Sequence, residues 1–319
     1  MRVLLKNIAG LSLGLLAMAG TATIATTALA EGERFVLISH APDSDSWWNT
    51  IKNAIKIAGD EMGVTVDYRN PTTGDLADMA RIVQQTTASN PDGIIVSIAD
   101  FDVLSGPIRD AVDKGIPVIT INSGTHEQSE KLGALLHVGQ PEYDAGFGAG
   151  QRAKAAGVKK FLCVNHYIMN PASVERCQGY AAALGVELGN QMIDSGQDPS
   201  EIKNKVIAYL RSNKDVDSVL ALGPTSAHPT LAALKEMGLA GEMQFGTFDL
   251  SGEIAAAIKS DEINFAIDQQ PYLQGYLPVV ILTNFVRYGV LPSGHINSGP
   301  GFIVKDNIKL VEKFAGELR

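Results

Sequence analysis

The sequence predicts an α/β fold made of two doubly wound, parallel-sheet lobes. Short apolar segments typical of strands alternate with amphipathic segments typical of helices, and this alternation indicates parallel sheets covered by helices. The segments GIIVSI (93–98) and IPVITI (116–121) are apolar on both faces, as expected of strands buried on both sides. Two series of such units lie on either side of residues 137–142, so we expect two lobes of similar size.

The first series runs from residue 34 to residue 139. Apolar residues at i, i+3 and i+4 spacing, such as Ile51, Ala54 and Ile55, indicate a helix that ends at Gly63. Asp100 is the expected N-terminal cap of the third helix. Strands are predicted over 34–39, 64–69, 91–100, 116–123 and 134–139, and helices over 48–63, 75–89 and 103–115.

The second series begins with a helix over 141–157. Its GFGAG segment (146–150) lies inside an amphipathic run, so we interpret it as close helix packing rather than a phosphate loop. Ser251 is the expected cap of a helix over 251–259. A helical run is expected at the end of the chain. The remaining strands are predicted over 159–165, 190–194, 217–223, 243–249 and 263–268, and the helices over 172–184, 199–212, 228–238 and 272–288.

The N-terminus has the features of a secretory signal peptide. Arg2 and Lys6 precede an apolar run over 7–20, and Ala28-Leu29-Ala30 matches an A-x-A cleavage site. The apolar run is shorter than the roughly 20 residues of a membrane span. We therefore expect cleavage after Ala30 and export of residues 31–319 to the periplasm.

Charge and motif content exclude several functions. The expected mature chain carries 24 basic and 35 acidic residues, a net charge of −11, without a Lys/Arg cluster, which disfavours nucleic-acid binding. The six histidines show no metal-ligand spacing with Cys or carboxylates. Within the expected mature chain, no G-x-S-x-G segment or acid–base couple marks a catalytic centre. We expect neither enzymatic activity nor a cofactor or metal.

Cys163 and Cys177 are the two cysteines of the chain. Cys163 lies in a predicted strand and Cys177 in the helix that follows it. An exported protein permits a disulfide between them if the helix packs back on the strand. Two small buried hydrophobic side chains are the alternative interpretation.

Polar and aromatic side chains collect just beyond the carboxyl ends of the predicted strands, where open α/β sheets bind ligands. Carboxylates accept hydrogen bonds from hydroxyl groups, amides both donate and accept, and arginine donates. Trp47 and Trp48, the only tryptophans, offer flat faces to the C–H surface of a sugar or polyol. The group comprises His40, Asp43, Ser44, Asp45, Trp47, Trp48, Asp100, Asn122, Ser123, Gln140, Asn165, His166, Asn170, Arg176, Gly223, Pro224, Thr225, Asp249, Asp268, Gln269 and Gln270.

These residues resemble, in order, those of the type I periplasmic sugar-binding proteins of ABC importers, the ribose-binding-protein-like group. The resemblance covers residues 33–305. It rests on SHAPDSDSWW, PDGIIVSIAD, GIPVITINS, NPASVERCQGY, QFGTFDLSGE and FAIDQQPYLQGYLPV. It implies two lobes joined by a hinge of three crossings near 139–141, 269–271 and 296–299, which close on a ligand. The implied lobes are 31–139 with 271–297, and 140–270 with 298–319.

The resemblance also implies roles for individual residues. Trp47 and Trp48 match an aromatic pair, Arg176 and Asp249 match the family's sugar-binding Arg and Asp, and Gln269 matches the hinge Gln. The cysteine arrangement resembles a subgroup of the family, which favours the disulfide. The predicted ligand-binding set is Trp47, Trp48, Asp43, Asn122, Ser123, Asn165, His166, Asn170, Arg176, Thr225, Asp249 and Gln269.

The chain departs from the ribose-binding pattern at two places. Asn122-Ser123 stands where ribose binders carry Asp-Arg, and Gly223-Pro224-Thr225 replaces Asn-Asp. These departures favour a different small uncharged ligand, namely another pentose, a branched or deoxy sugar, or a sugar alcohol. An ABC permease is the implied protein partner, and a monomer is expected.

Other interpretations stay open from the sequence. Either tryptophan alone could contact the ligand, Asp43 or Asn49 could cap the first helix, and Arg176 could form a surface ion pair with Glu175 or Asp144. The closed protein could instead act as a ligand sensor that docks on a chemoreceptor or a histidine-kinase ectodomain. An exported sugar-modifying enzyme is a further alternative.

Overall fold

The computed structural model describes residues 32–319. The predicted signal peptide (1–30) and its cleavage site after Ala30 lie outside these residues. None of the helices in the described part combines the length and apolarity that a membrane span requires.

The first series forms five strands and four helices. They are β1 (Arg34–Ile38), α1 (Trp48–Met62), β2 (Thr65–Arg69), α2 (Leu76–Ala88), β3 (Gly93–Ser97), α3 (Phe101–Asp113), β4 (Val118–Ile121), α4 (His126–Lys131) and β5 (Leu136–Gly139).

The second series and the C-terminal segment follow. They are α5 (Glu142–Ala155), β6 (Phe161–Asn165), α6 (Pro171–Leu184), β7 (Met192–Asp194), α7 (Pro199–Ser212), β8 (Ser218–Ala221), α8 (Pro224–Glu236), β9 (Gln244–Phe248), α9 (Gly252–Lys259), β10 (Phe265–Asp268), α10 (Pro271–Tyr288), β11 (Ile296–Asn297) and β12 (Gly301–Ile303).

These strands form two six-stranded sheets, which confirms the predicted two-lobed fold. One sheet has the order β11-β5-β4-β3-β1-β2 and the other β12-β10-β9-β8-β6-β7. All pairings are parallel except that of β12 with β10. The chain passes between the sheets after β5, after β10 and between β11 and β12, so three crossings connect the lobes.

Successive side chains of each strand point to opposite faces of the sheet, and each face is covered by a layer of helices. In β1, Phe35 and Leu37 pack in the cluster with α1 and α10, whereas Val36 and Ile38 pack with α2 and α3. The second sheet is covered in the same way by α5 and α6 on one face and by α7, α8 and α9 on the other. Both faces are therefore buried, as the strand composition predicts.

Glycines allow α5 and α6 to pack closely, as predicted for the GFGAG segment. A Cβ at Gly146 would lie 2.1 Å from the carbonyl oxygen of Arg176, and a Cβ at Gly179 would lie 2.1 Å from that of Tyr143. Only residues without a side chain fit at such distances. This contact brings the N-terminal parts of both helices together at the edge of the interlobe cleft.

Several helix boundaries differ from the predictions. The predicted caps Asp100 and Ser251 are present and accept from the amides of Val103 and Ile254. Helix α8 begins at Pro224 rather than at 228, since a proline is well suited to a first helical turn. Helix α4 was not predicted, although Thr125 and Gln128 form a capping box. The expected C-terminal helical run consists of two short 3-10 turns, Ile308–Leu310 and Glu312–Phe314.

Cys163 and Cys177 form a disulfide with a Cα–Cα distance of 6.0 Å. The bond connects β6 to α6, which packs back on the strand that precedes it. It also fixes the segment that carries His166, Asn170 and Arg176.

Replacement of both cysteines by alanine should lower the free energy of unfolding. The cysteines are 14 residues apart, and closure of a loop of this size stabilises a fold by about 3 kcal/mol. Urea unfolding of the oxidised and reduced protein measures the effect, and the double alanine variant, which should not respond to reductant, is the control. Equal midpoints of the native chain with and without reductant would contradict this prediction.

Candidate functional site

The carboxyl ends of the strands of both lobes face one another across a small cavity. Its volume is about 60 Å³. The cavity is lined by His40, Asp45, Trp47, Trp48, Asn122, Ser123, His166, Tyr167, Asn170, Ser173, Arg176, Leu222, Gly223, Pro224, Thr225, Asp249 and Gln269.

Aromatic rings form one part of the wall. Trp47 and Trp48 meet edge to face with centroids 5.2 Å apart, and His40 packs edge-on against Trp48 at 5.4 Å. Tyr167 of the second lobe stacks on His40 at 5.6 Å. The buried Trp47 indole N–H makes no short hydrogen bond within residues 32–319 but acts on the Asp249 carboxyl group and lowers its pKa, so the wall combines flat apolar faces with a donor.

Two equivalent strand ends carry a polar residue in the left-handed conformation. Asn122 follows β4 with φ 58°, and Asp249 follows β9 with φ 63°. This conformation costs about 1–3 kcal/mol for most residues and is enriched at functional sites, although Asn and Asp adopt it more readily than others. The strained backbone directs both side chains into the space between the lobes.

A continuous hydrogen-bond network joins these two residues through the second crossing. Gln269 Nε2 donates to Asp249 Oδ1 at 2.8 Å, and Asn122 Nδ2 donates to Gln269 Oε1 at 3.2 Å. Asn122 Nδ2 also donates to Gln274 Oε1 at 3.1 Å. Residues of the first lobe, the hinge and the second lobe are therefore parts of one buried polar array.

Direct hydrogen bonds also connect the lobes across the cavity. Asn170 Nδ2 donates to Ser123 Oγ at 3.0 Å, and the Ser123 hydroxyl donates to Asn122 Oδ1 at 3.1 Å. The Tyr167 hydroxyl donates to the carbonyl oxygen of Gly74 at 3.4 Å. Asn170 has a second role, since its Oδ1 caps α6 by accepting from the amide of Ala172.

Arg176 forms a buried bidentate ion pair with Glu142 rather than the surface pair with Glu175 or Asp144 that was the alternative interpretation. Nε and Nη2 donate to the two carboxylate oxygens at 2.7 and 2.8 Å, and Nη1 donates to the carbonyl oxygen of Leu222 at 3.0 Å. The guanidinium also lies 4.3 Å from the ring centroid of Phe248. Its charge is therefore balanced within the protein.

The two histidines of the cavity are neutral near pH 7. Burial, with Arg176 nearby, lowers the pKa of His40 and of His166 to about 4. His166 Nδ1 is hydrogen-bonded to Ser226 Oγ at 3.2 Å, and Ser226 Oγ also accepts from the amide of Leu222 at 3.0 Å.

Asp249 is a strongly perturbed carboxyl group of the cavity. Burial raises its pKa to about 7, although Arg176, the Gln269 amide and Trp47 act in the opposite direction. Without further donors the carboxylate form is thus poorly stabilised. Hydroxyl groups that donate to Asp249 would favour the ionised form.

Ten of the predicted ligand-binding residues come together in this cavity. They are Trp47, Trp48, Asn122, Ser123, His166, Asn170, Arg176, Thr225, Asp249 and Gln269.

Asp43 and Asn165 do not line the cavity. Asp43 lies in the exposed turn before α1, where its Oδ1 accepts from Asn70 Nδ2 at 2.9 Å. Asn165 is buried at the end of β6, and its Oδ1 accepts from the amide of Tyr167 at 2.9 Å. Both side chains shape loops near the site. Their positions in the sequence, next to other site residues, could not show whether they support a loop or contact a ligand.

Tyr167, Ser173 and Leu222 line the cavity and were not among the strand-end residues. Tyr167 directly follows His166 beyond β6, and Ser173 lies one helical turn before Arg176, so position alone could have indicated both. Leu222 contacts Arg176 through its backbone carbonyl, and no side-chain pattern indicates such a contact.

Comparison with known proteins defines the class of the chain. The family model described as periplasmic binding protein domain matches residues 35–289. The chain therefore belongs to this family.

Relatives of the chain carry sugar-binding names. The chain is 26% identical over 252 residues to the xylose/arabinose-binding protein XylF of Sulfolobus acidocaldarius, a match that covers 74% of this chain and 62% of that protein. It is 25% identical over 262 residues to the ribose import binding protein RbsB of Escherichia coli, covering 80% of this chain and 85% of that protein.

A solved structure resembles the chain in both sequence and fold. It is a carbohydrate transporter from Acidothermus cellulolyticus in complex with myo-inositol. The two share 31% identity with a TM-score of 0.82, and the match covers 90% of this chain and 99% of that chain.

Removal of either partner of the Arg176–Glu142 pair should destabilise the fold. Replacement of one partner by methionine leaves the other charge buried and unpaired, which costs about 3–5 kcal/mol. The double variant Arg176→Met, Glu142→Met should lose less than either single variant, because it leaves no unpaired charge. Urea unfolding of the three variants tests this, and additive losses would contradict it.

Proposed function

We propose that this protein is the periplasmic substrate-binding protein of an ABC importer and captures a small uncharged monosaccharide or polyol between its lobes. The observation that best supports this proposal is the closed interlobe cavity, which combines aromatic faces with the Asp249–Gln269–Asn122 hydrogen-bond network. This arrangement suits a ligand with C–H faces and several hydroxyl groups. The protein binds its ligand without chemical change, acts as a monomer, and delivers the ligand to the permease by opening its lobes.

The cavity volume supports a ligand of monosaccharide size. A buried water occupies about 10–15 Å³ on this scale, so a volume of about 60 Å³ corresponds to roughly four to six waters. A pentose, a tetritol, a pentitol or a cyclitol can replace such a cluster. A disaccharide cannot do so without a change in the walls.

The electrostatics support an uncharged ligand. Glu142 balances Arg176, and His40 and His166 are neutral near pH 7. A ligand carboxylate would therefore find no free cation on these side chains. Asp249, whose carboxyl group accepts from Gln269, is the expected acceptor of ligand hydroxyl groups.

The relatives support the same ligand class. XylF is named for xylose and arabinose, RbsB for ribose, and the carbohydrate transporter was solved with myo-inositol. Ser123 here stands where ribose binders carry a long cationic side chain, so we propose a ligand other than ribose within this class.

The proposed contacts are divided between the lobes. The first lobe (31–139 with 271–297) contributes Trp47 and Trp48, which stack on the ligand. The second lobe (140–270 with 298–319) contributes Arg176 and Asp249, which bind it. The pairing of β11 with β5 and of β12 with β10 supports these boundaries. The other proposed contacts are Asn122, Ser123, His166, Asn170, Thr225 and Gln269.

A ligand screen by intrinsic fluorescence and thermal unfolding should identify the solute. Trp47 and Trp48 are the only tryptophans and both line the cavity, so binding should change the emission directly. A ligand at about 100 times its dissociation constant should add about 2.7 kcal/mol of stability. The screen should include tetritols, pentoses, pentitols, hexoses, inositols and branched sugars.

The response should disappear in Asp249→Ala and persist in Asp43→Ala, the same substitution at a carboxyl group outside the cavity. No response to any uncharged sugar or polyol would refute the proposed ligand class. A response of equal size in Asp249→Ala would place the binding elsewhere.

Ligand affinity should rise with pH through about 7. Ligand hydroxyl groups favour the ionised form of Asp249 and shift its pKa in the complex from about 7 toward its ordinary value, so the complex binds fewer protons than the free protein. Between pH 5.5 and 7, affinity should rise by up to about tenfold per pH unit. His40 and His166 stay neutral over this range, since both have a pKa of about 4.

Calorimetric titrations at several pH values measure this effect, and Asp249→Asn should abolish the slope. A slope that survives in this variant, or an affinity that falls with rising pH, would assign the titration to another group.

A further inference from the structure

Residues 312–319 connect the two lobes at a place separate from the three crossings. This segment, the C-terminal strap, is anchored on the second lobe. The preceding Ile308 and Val311 are buried in the hydrophobic core that α9 covers. Gly316 of the strap lies beside Ser251 at the start of α9, where a Cβ on the glycine would be 3.8 Å from the Ser251 Cα.

The strap reaches the first lobe through a side-chain hydrogen bond. Asn53 Nδ2 of α1 donates to the carbonyl oxygen of Glu317 at 3.0 Å. Asn53 lies in the second turn of α1, and Trp48 of the cavity begins the first turn of the same helix. Because Asn53 belongs to the first lobe and the strap to the second, this hydrogen bond depends on the relative orientation of the lobes.

The strap also contacts the second crossing. Arg319 pairs with Asp268, with 2.5 Å between Nη2 and Oδ2, and Nη1 of Arg319 donates to Gln270 Oε1 at 3.3 Å. Asp268 Oδ1 accepts from the amide of Gln270 at 2.7 Å, and Gln270 Nε2 donates to the carbonyl oxygen of Ser298 at 2.6 Å. Arg319 is therefore linked directly to the second crossing and, through Gln270, to the third.

The carboxylate that Arg319 contacts is buried next to the proposed ligand site. Asp268 is 1% exposed, and Arg319 is its ionic partner in the described part of the chain. Burial raises the pKa of Asp268, and Arg319 acts in the opposite direction, so the charged form depends on this guanidinium. Asp268 directly precedes Gln269, whose amide connects Asn122 with Asp249. Arg319 thus holds the residue beside a ligand-binding amide in place.

We propose that the C-terminal strap favours the closed arrangement of the lobes, with Arg319 as a positioning residue for the second crossing. The strap stays on the second lobe, whereas Asn53 moves with the first. Opening of the lobes about the crossings therefore breaks the Asn53–Glu317 hydrogen bond, and the Arg319–Asp268 pair, which lies within the second lobe, keeps the strap in reach of α1. The strap thereby slows ligand release, an inference that rests on the proposed binding function.

Stopped-flow fluorescence measures this effect as a rate of ligand release. The probe is the strongest-binding member of the panel of tetritols, pentoses, pentitols, hexoses, inositols and branched sugars. Asn53→Ala and Arg319→Ala should each raise its dissociation rate constant about three- to tenfold, as expected for loss of hydrogen bonds made in the closed form. The association rate constant should change by less than about twofold, because ligand enters the open form.

A double variant distinguishes a strap from two unrelated contacts. Once Arg319 no longer holds the strap, loss of the Asn53 side chain should have little further effect, so Asn53→Ala, Arg319→Ala should release the sugar about as fast as Arg319→Ala alone. The controls Asn204→Ala and Arg211→Ala remove exposed side chains of α7 and should leave the rate unchanged. Rate increases that multiply in the double variant, or unchanged rates in both single variants, would overturn the proposal.

Hydrogen exchange of the ligand-free chain tests the strap independently of the proposed function. The Gly316 amide donates to the carbonyl oxygen of Arg319 at 2.8 Å, and the Arg319 amide donates to that of Phe314 at 3.0 Å. Exchange of residues 312–319, followed by mass spectrometry, should be about three- to tenfold faster in Arg319→Ala and in Asn53→Ala than in the controls. Exchange that neither substitution changes would overturn the proposal even if a sugar binds. Faster exchange in both variants, with no sugar of the panel bound, would support the strap and refute the sugar-binding function.

Discussion

The structure depends on a buried polar network that crosses the hinge. Asp249, Gln269, Asn122, Ser123 and Asn170 form one hydrogen-bonded chain from the second lobe through the second crossing to the first lobe and back. Buried polar groups are costly unless they are hydrogen-bonded. The lobes can therefore close only in a geometry that satisfies these groups, and a ligand with hydroxyl groups adds the donors that Asp249 lacks.

The Arg176–Glu142 pair sets the electrostatic character of the small cavity. The pair is built from α5 and α6, whose glycine contact brings the two helix starts together. Because both charges are balanced inside the protein, Arg176 can orient a polar ligand without selecting an anion.

Much of this arrangement could be predicted from the sequence, and the exceptions have physical causes. Strands such as GIIVSI are apolar on both faces, which indicates their place in a buried parallel sheet. Because open parallel sheets bind ligands beyond the carboxyl ends of their strands, the residues after each strand were the natural candidates for the site. The partner of Arg176 could not be identified, since Glu142 is 34 residues away and only the close packing of α5 on α6 joins them. Asn165 has the residue type of a ligand contact but supports a turn, a distinction that depends on side-chain direction.

The central claim is that a hydroxyl-rich ligand completes the network and holds the two lobes closed. Small-angle X-ray scattering of the purified chain with and without the sugar or polyol identified by fluorescence tests it most directly. The account predicts a smaller radius of gyration with ligand, and no such change in Asp249→Ala. Identical scattering with and without a saturating ligand would contradict the claim, because closure would then not depend on the ligand.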